Sequence, residues 1–193
     1  MIEVKGNITK EYLNSALPLD IINNEIIPAL NQVGVGYEEK KIFLPQLLMS
    51  AEAAKSAFDV IKSQVAEVSS NKKGTIILAT VEGDIHDIGK NIVKLLLENY
   101  GFNVFDLGKD VPSEVIVQKA IELKADIVGL SALMTTTVPN MEKTIKLLRQ
   151  NKLNCKIIVG GAVLTEDYAQ KIDADHYAKD AMGAVRYAQE IIK

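Results

Sequence analysis

Residues 75–97 read TIILATVEGDIHDIGKNIVKLLL. A short apolar run, TIILAT, breaks into a polar loop and then gives way to a helical pattern in Ile92, Val93, Leu95, Leu96 and Leu97. This is one strand–loop–helix unit. Further along, NVFDLG, DIVGLS, KIIVGG and DHYAKD supply four more β-rich runs, separated by segments of helical period. Five such units predict an α/β fold whose parallel sheet is covered on both faces, and right-handed crossovers make it doubly wound. In that architecture a ligand lies beyond the carboxyl ends of the strands, at the switch in strand order. The loops to inspect are therefore residues 81–89, 131–138, 160–165 and 178–182.

Upstream, residues 1–70 read as helices. Thr9 is a candidate N-cap, and Ile21, Ile22, Ile26, Ile27 and Leu30 form an apolar stripe that Val33, Gly34 and Gly36 are expected to end. A longer helix starts near Pro45 and carries Leu47, Leu48, Ala51, Ala54, Phe58 and Ile61 on one face. The polar stretch from Ser69 to Lys73 reads as a linker. Two domains are expected, a helical bundle over 1–70 and the α/β domain over 74–193.

Composition narrows the function classes. The 193 residues are 48% hydrophobic, enough for a real core. The longest apolar runs stop well short of the roughly 18 residues of a membrane-spanning helix. The charged N-terminus MIEVKGNITK does not resemble a secretory signal, so a cytoplasmic protein with no membrane partner is expected. The single cysteine, Cys155, excludes an intramolecular disulfide and is expected to be buried at a strand edge. Net charge is −3 with signs interspersed, and there is no Trp, which argues against nucleic acid as a partner.

The loop from Val81 to Asn91 carries the chemistry. An imidazole at a strand end can donate a nitrogen to a transition metal, and a carboxylate two positions away can hold its other nitrogen. His86 and Asp84 suit those roles. From the loop alone, a helix cap by Asp84 or Asp87 beside a solvated His86 explains the residues at least as well. A phosphate loop ending at Lys90 fits poorly. The Gly83 to Gly89 spacing is one residue too long, Asn91 replaces the hydroxyl that would hold magnesium, and three carboxylates would repel an anion.

The sequence Asp84-Ile85-His86-Asp87-Ile88-Gly89 matches an Asp-x-His-x-x-Gly motif, followed after 41 residues by Ser131-Ala132-Leu133 and after 26 more by Gly160-Gly161. In this three-part pattern the chain resembles the cobalamin-binding modules of methionine synthase and the corrinoid proteins of methyltransferase systems. Ile42-Phe43-Leu44-Pro45-Gln46 looks like the helical cap of the same proteins, so the resemblance covers nearly the whole chain. It implies a flavodoxin-like cobalamin-binding domain behind an N-terminal helical cap, with the cofactor's benzimidazole detached and its nucleotide tail inside the α/β domain. His86 is then the cobalt ligand, and Asp84 with Thr137 forms a proton relay behind it. Gly83, Ile85, Asp87 and Gly89 of the loop, with Ser131, Leu133, Thr135, Gly160, Gly161 and Ala181, are implied cofactor contacts. Tyr37 and Leu44 match residues that cover the upper corrin face.

Plainer readings stand beside these. Strand-end hydroxyls often bond nearby backbone, Gly160-Gly161 could form an ordinary turn, and Leu44 could simply pack in a core. The chain also departs from the pattern. Lys40 stands where a glycine is usual, Asn23 stands where methionine synthases have a cofactor-contacting glutamate, and three helices are expected where methionine synthase has four.

The resemblance implies a methyl carrier that cycles between cob(I)alamin and methylcobalamin. The donor would be methyltetrahydrofolate or a methylated amine or alcohol, and the acceptor a thiol such as homocysteine. No substrate barrel of about 250 residues fits in the chain, so catalysis would need methyl-donor and methyl-acceptor methyltransferase partners, with a reductive activation protein. Cobalamin-dependent sensors and mutase modules are the alternatives. The absence of Trp counts against the sensors, whose caps present one.

Overall fold

The computed structural model describes Thr9, Glu11, Leu13, residues 21–64 and residues 73–192. The chain divides into two compact units, Met1–Asn71 and Lys72–Lys193. Of the linker assigned to residues 69–73, residues 69–72 lie outside the described residues, and Lys73 belongs instead to the first strand.

In the first unit a π-helical turn, Ile22–Ile26, leads into α1 (Ile27–Glu38). Pro28 in the first turn of α1 has no N–H, and its ring crowds the carbonyl four residues back, which accounts for the widened turn before it. The expectation that Val33, Gly34 and Gly36 end this helix fails, because α1 runs through all three. Gly36 serves packing instead: a Cβ there would lie 2.8 Å from Ile42 Cδ1. The Gly36 carbonyl accepts from Lys41 N at 2.9 Å and Ile42 N at 3.0 Å, so the chain folds back on the glycine. Lys40 closes the turn at φ +59°, the left-handed region where glycine is free of Cβ strain. That explains why a glycine is usual there.

The next helix, α2 (Leu44–Gln64), begins beside Pro45 as expected and packs on α1. Ile21, Leu30, Leu47, Ala51, Ala54 and Ile61 are buried between the helices of this unit. The Phe58 side chain lies outside the described residues. Thr9 is buried in a helical turn, its carbonyl accepting from Leu13 N at 3.1 Å, and the residues before it lie outside the described ones.

The second unit alternates β1 (Lys73–Thr80), α3 (Ile88–Asn99), β2 (Phe102–Asp106), α4 (Ser113–Glu122), β3 (Ile127–Ser131), α5 (Val138–Gln150), β4 (Lys156–Gly160), α6 (Glu166–Lys171), β5 (His176–Tyr177) and α7 (Ala181–Ile191). All strand pairs are parallel, in the order β2-β1-β3-β4-β5, which is the flavodoxin-like winding. The order reverses between β1 and β3, so the ends of these two strands define the ligand crevice.

Period-2 alternation separates the two faces of the sheet. Ile77, Ala79, Val128, Leu130, Ile157 and Val159 point to one face and pack with Ile116 and Val117 of α4, and Met141, Ile145 and Leu148 of α5. Each large side chain buried there contributes about 1.5–3 kcal/mol. Cys155 lies in this core just before β4, as its neighbours predicted. The opposite face carries the register rows Leu78–Gly129–Ile158 and Thr80–Ser131–Gly160 under α3 and α7, which pack on each other. Two of those six positions are glycine, so the face is hollow. No described helix is long and apolar enough to cross a membrane.

Candidate functional site

The loop between β1 and α3 is built to hold one carboxylate. Gly83 takes φ +83°, turning the chain so that Asp84 N bonds back to Val81 O at 3.0 Å. The Asp84 side chain is thereby driven beneath the surface, where it is fully buried. Its Oδ1 accepts from His86 N at 3.0 Å and His86 Nδ1 at 2.9 Å. Its Oδ2 accepts from Leu133 N at 2.7 Å, Met134 N at 3.2 Å and Thr137 Oγ1 at 2.8 Å. The Thr137 hydroxyl also lies 2.8 Å from Met134 O, but has one proton, and the charged oxygen is the stronger acceptor.

Burial alone would raise the Asp84 pKa. The donors from His86, Leu133 and Thr137 overcome it and hold the carboxyl far below the usual carboxylate range. An ionised carboxylate only accepts, so His86 Nδ1 must carry a proton and the lone pair resides on Nε2. Among the described residues Nε2 has no partner, and the ring is 46% exposed. This is the tautomer and orientation of a metal-ligating histidine supported by a carboxylate. The helix-cap alternative fails: Asp87 makes no side-chain cap bond, and Asp84 bonds none of the first amides of α3.

Beside His86 a cavity of about 580 Å³ opens into the hollow face of the sheet. Leu78, Gly129 and Ile158 form its floor, Val93 and Leu97 of α3 and Ala184 of α7 its walls. A Cβ on Gly129 would lie 2.6 Å from Leu78 Cδ2, so the glycine keeps this space open. Gly160 and Gly161 line the mouth, with different constraints. A Cβ on Gly160 would be 3.4 Å from Ala178 O, an ordinary contact. At Gly161 (φ +143°) it would be 1.8 Å from Ala132 O, so that glycine is first required by the meeting of two backbone segments.

Of the other expected contacts, Ile85, Asp87, Gly89, Ser131, Leu133 and Ala181 line the cavity. Gly83 and Thr135 do not: Gly83 serves the turn, and Thr135 is solvent-exposed. Asp84 and Thr137 sit behind His86, as a relay requires. The Ser131 hydroxyl is already bonded to Thr80 Oγ1 at 2.8 Å, a side-chain partner on the neighbouring strand rather than the nearby backbone that the plainer reading expected. Tyr37 is half-buried in the first unit, and Leu44 is exposed rather than a core residue.

The sequence reading missed Gly129, whose signal was a glycine inside a strand pattern. It also gave no role to Lys90, which is buried at the cavity wall and bonds Asp106 Oδ1 at 2.6 Å and Asn91 Oδ1 at 2.7 Å. Burial would raise the Asp106 pKa, yet Lys90 and the Gly108 amide hold it low. The phosphate-loop reading fails here as well, because the cation of Lys90 is already paired.

Among the described residues no group of three His, Cys, Asp or Glu could hold a bare metal ion. One free imidazole nitrogen beside a deep apolar cavity instead fits a metal already chelated by a large organic ligand, with part of that ligand buried.

Comparison with known proteins agrees with this geometry. Residues 74–186 match the B12 binding domain, and residues 2–62 match a second model of that description. The chain is 46% identical to dimethylamine corrinoid protein 1 of Methanosarcina acetivorans over 91% of this chain and 84% of that protein. It is 37% identical to trimethylamine corrinoid protein 1 of the same organism, over 98% and 90%. A cobalamin-binding protein from Desulfitobacterium hafniense superposes with a TM-score of 0.84 at 32% identity, covering 100% of this chain and 93% of that one. A chain of the methanol:cobalamin methyltransferase complex of Methanosarcina barkeri superposes with a TM-score of 0.81 at 33% identity, over 94% and 72%.

Proposed function

The chain belongs to the corrinoid proteins that carry the B12 binding domain, and from that premise we propose that it is a methyl carrier whose donor is a methylated amine. Its cofactor is cobalamin. The bound cofactor supplies a cobalt centre that takes up a methyl group and passes it on. Everything else falls to the chain's own residues.

His86 Nε2 would hold the cobalt, and Asp84 fixes the imidazole in the tautomer that can do so. Asp84, itself held by Thr137, would stabilise a proton on Nε2 whenever that nitrogen is not bonded to the metal. The cavity over Gly129 and Gly160 would receive the nucleotide tail. Tyr37 and Leu44 would shield the methyl-bearing side of the cofactor, keeping water from it until a partner docks.

The preference for a methylated amine, over methyltetrahydrofolate with homocysteine, rests on the relatives, which are dimethylamine and trimethylamine corrinoid proteins. The acceptor would be a thiol. Partner methyltransferases would activate both ends, and a reductase would return inactive cobalt to the working state. The resemblance to a chain of a methyltransferase complex supports such partners.

The observation that carries the reading is the Asp84–His86 bond with Nε2 left free at the mouth of an apolar cavity. Loaded protein mixed with a dimethylamine-specific methyltransferase should become methylated on adding dimethylamine, followed by visible absorption. Methylation by methyltetrahydrofolate with its own methyltransferase, and none by any methylamine system, would overturn the donor assignment.

A further inference from the structure

The loop that carries His86 is anchored through its backbone by two residues outside the Asp-x-His-x-x-Gly motif. Glu82 O accepts from Asn140 Nδ2 at 2.8 Å. Gly83 N donates to Asp110 Oδ1 at 2.7 Å, and Asp84 O accepts from Asp110 N at 3.0 Å. Three consecutive residues are thus pinned from two flanks. Asp110 lies in the loop after β2, and Asn140 in the first turn of α5 near Thr137.

Asp110 is exposed and holds φ +54°, a conformation that costs a residue with a Cβ but costs Asp and Asn least. An exposed carboxylate bonded to one amide adds little to global stability. Its effect is local: it fixes the peptide plane at Gly83, a residue whose own φ of +83° would otherwise leave the turn loose.

We propose that Asp110 and Asn140 are positioning residues for the axial-ligand loop, holding its backbone so that the His86 side chain is the only element free to move toward or away from the metal. The inference rests on the assignment of His86 as cobalt ligand. The carboxylate bonds of Asp84 fix a side chain, and the Asp110–Asn140 clamp fixes the main chain that carries it. With both in place, ligation costs no loop ordering. With the clamp opened, part of the binding energy of the cobalt–nitrogen bond goes into ordering residues 82–84.

Three variants separate the contributions. Asp110→Gly removes the carboxylate and relieves the backbone, so it should fold. Asp110→Asn keeps an acceptor for Gly83 N and tolerates the positive φ. Asn140→Asp is isosteric but turns an acceptor toward Glu82 O. One hydrogen bond is worth about two- to tenfold in an equilibrium, so Asp110→Gly and Asn140→Asp should each lower the ratio of histidine-coordinated to uncoordinated cofactor by about that factor. Asp110→Asn should restore it.

The ratio is read from visible and electron paramagnetic resonance spectra of the loaded protein. In cofactor-free protein, amide exchange at Gly83 should accelerate in Asp110→Gly but not in Asp110→Asn. Faster exchange together with a lowered ratio supports the clamp. An unchanged ratio in both Asp110→Gly and Asn140→Asp overturns it while leaving the functional assignment standing. A wild-type protein without histidine coordination overturns that assignment instead.

Discussion

Asp84 Oδ1 and His86 Nδ1 lie 2.9 Å apart, with the carboxylate fully buried and the ring half in solvent. Inside, five donors hold the charge of Asp84, and outside, Nε2 keeps its lone pair with no partner among the described residues.

The crowding of donors makes Asp84→Asn a harsh substitution. An amide keeps one acceptor oxygen, so its NH2 group faces either the His86 amide and ring or the Leu133 and Met134 amides. At least one buried donor then loses its partner, so the cofactor-free domain should lose about 2–3 kcal/mol. Urea unfolding of both proteins measures the difference. A loss below about 0.5 kcal/mol would mean that the carboxylate is not holding the loop.

The two neighbouring glycines at the end of β4 should respond differently. Gly161→Ala forces a Cβ into the Ala132 carbonyl and should lower the stability of the protein by about 1–3 kcal/mol or more before any cofactor is added. Gly160→Leu meets only an ordinary contact and should fold, but its side chain intrudes on the mouth of the cavity and should weaken cobalamin binding more than tenfold. Thermal unfolding and cofactor titration of both variants check this. Normal cobalamin affinity in Gly160→Leu would place the buried tail elsewhere.

Acid should weaken the edge of the sheet through Asp175. Burial would raise its pKa, but Arg149 Nη2 at 2.7 Å, Ile157 N at 2.8 Å and Lys156 Nζ at 3.1 Å lower it in the folded state. A carboxyl with a depressed folded pKa contributes stability above its unfolded pKa and loses it as pH falls through the folded one. Wild type should therefore lose its advantage over Asp175→Asn as pH drops below about 4. Denaturant unfolding at stepped pH tests this, and a gap that did not shrink as pH fell below about 4 would contradict it.

If Leu44 and Tyr37 shield the methyl group, truncating them exposes the cobalt–carbon bond. Leu44 is exposed in the helical unit, so Leu44→Ala should cost the fold little. Light- and oxygen-driven loss of methylcobalamin should quicken in Leu44→Ala and Tyr37→Ala. Unchanged rates in both would remove the shielding role.

The sheet was legible because each strand is a short β-rich run ended by a turn, and the ligand crevice followed from the winding alone. His86 and Asp84 were legible as a pair, yet the loop by itself could not exclude a helix cap. What decided between them was the pair of amides from Leu133 and Met134, which come from another strand end and leave no local trace. Gly161 was assigned to the cofactor tail, whereas its first constraint is the Ala132 carbonyl, a contact between distant segments. The end of α1 was misplaced because Gly34 and Gly36 have the composition of a stop, whereas the helix runs through both and Gly36 serves close packing against Ile42. Asp110 and Asn140 were invisible for a similar reason: single polar residues in unremarkable surroundings, paired with backbone atoms far away in sequence.

The most direct test of the central claim is electron paramagnetic resonance of the cobalt(II) form of the loaded protein, prepared with natural and nitrogen-15 histidine. The chain has two histidines, so His86→Ala serves as the assignment control. Coordination by His86 predicts a superhyperfine triplet that becomes a doublet on labelling. In His86→Ala the pattern should disappear while the protein still retains cobalamin, since the tail contacts remain. A triplet indifferent to histidine labelling, arising from the cofactor's own benzimidazole, would contradict it.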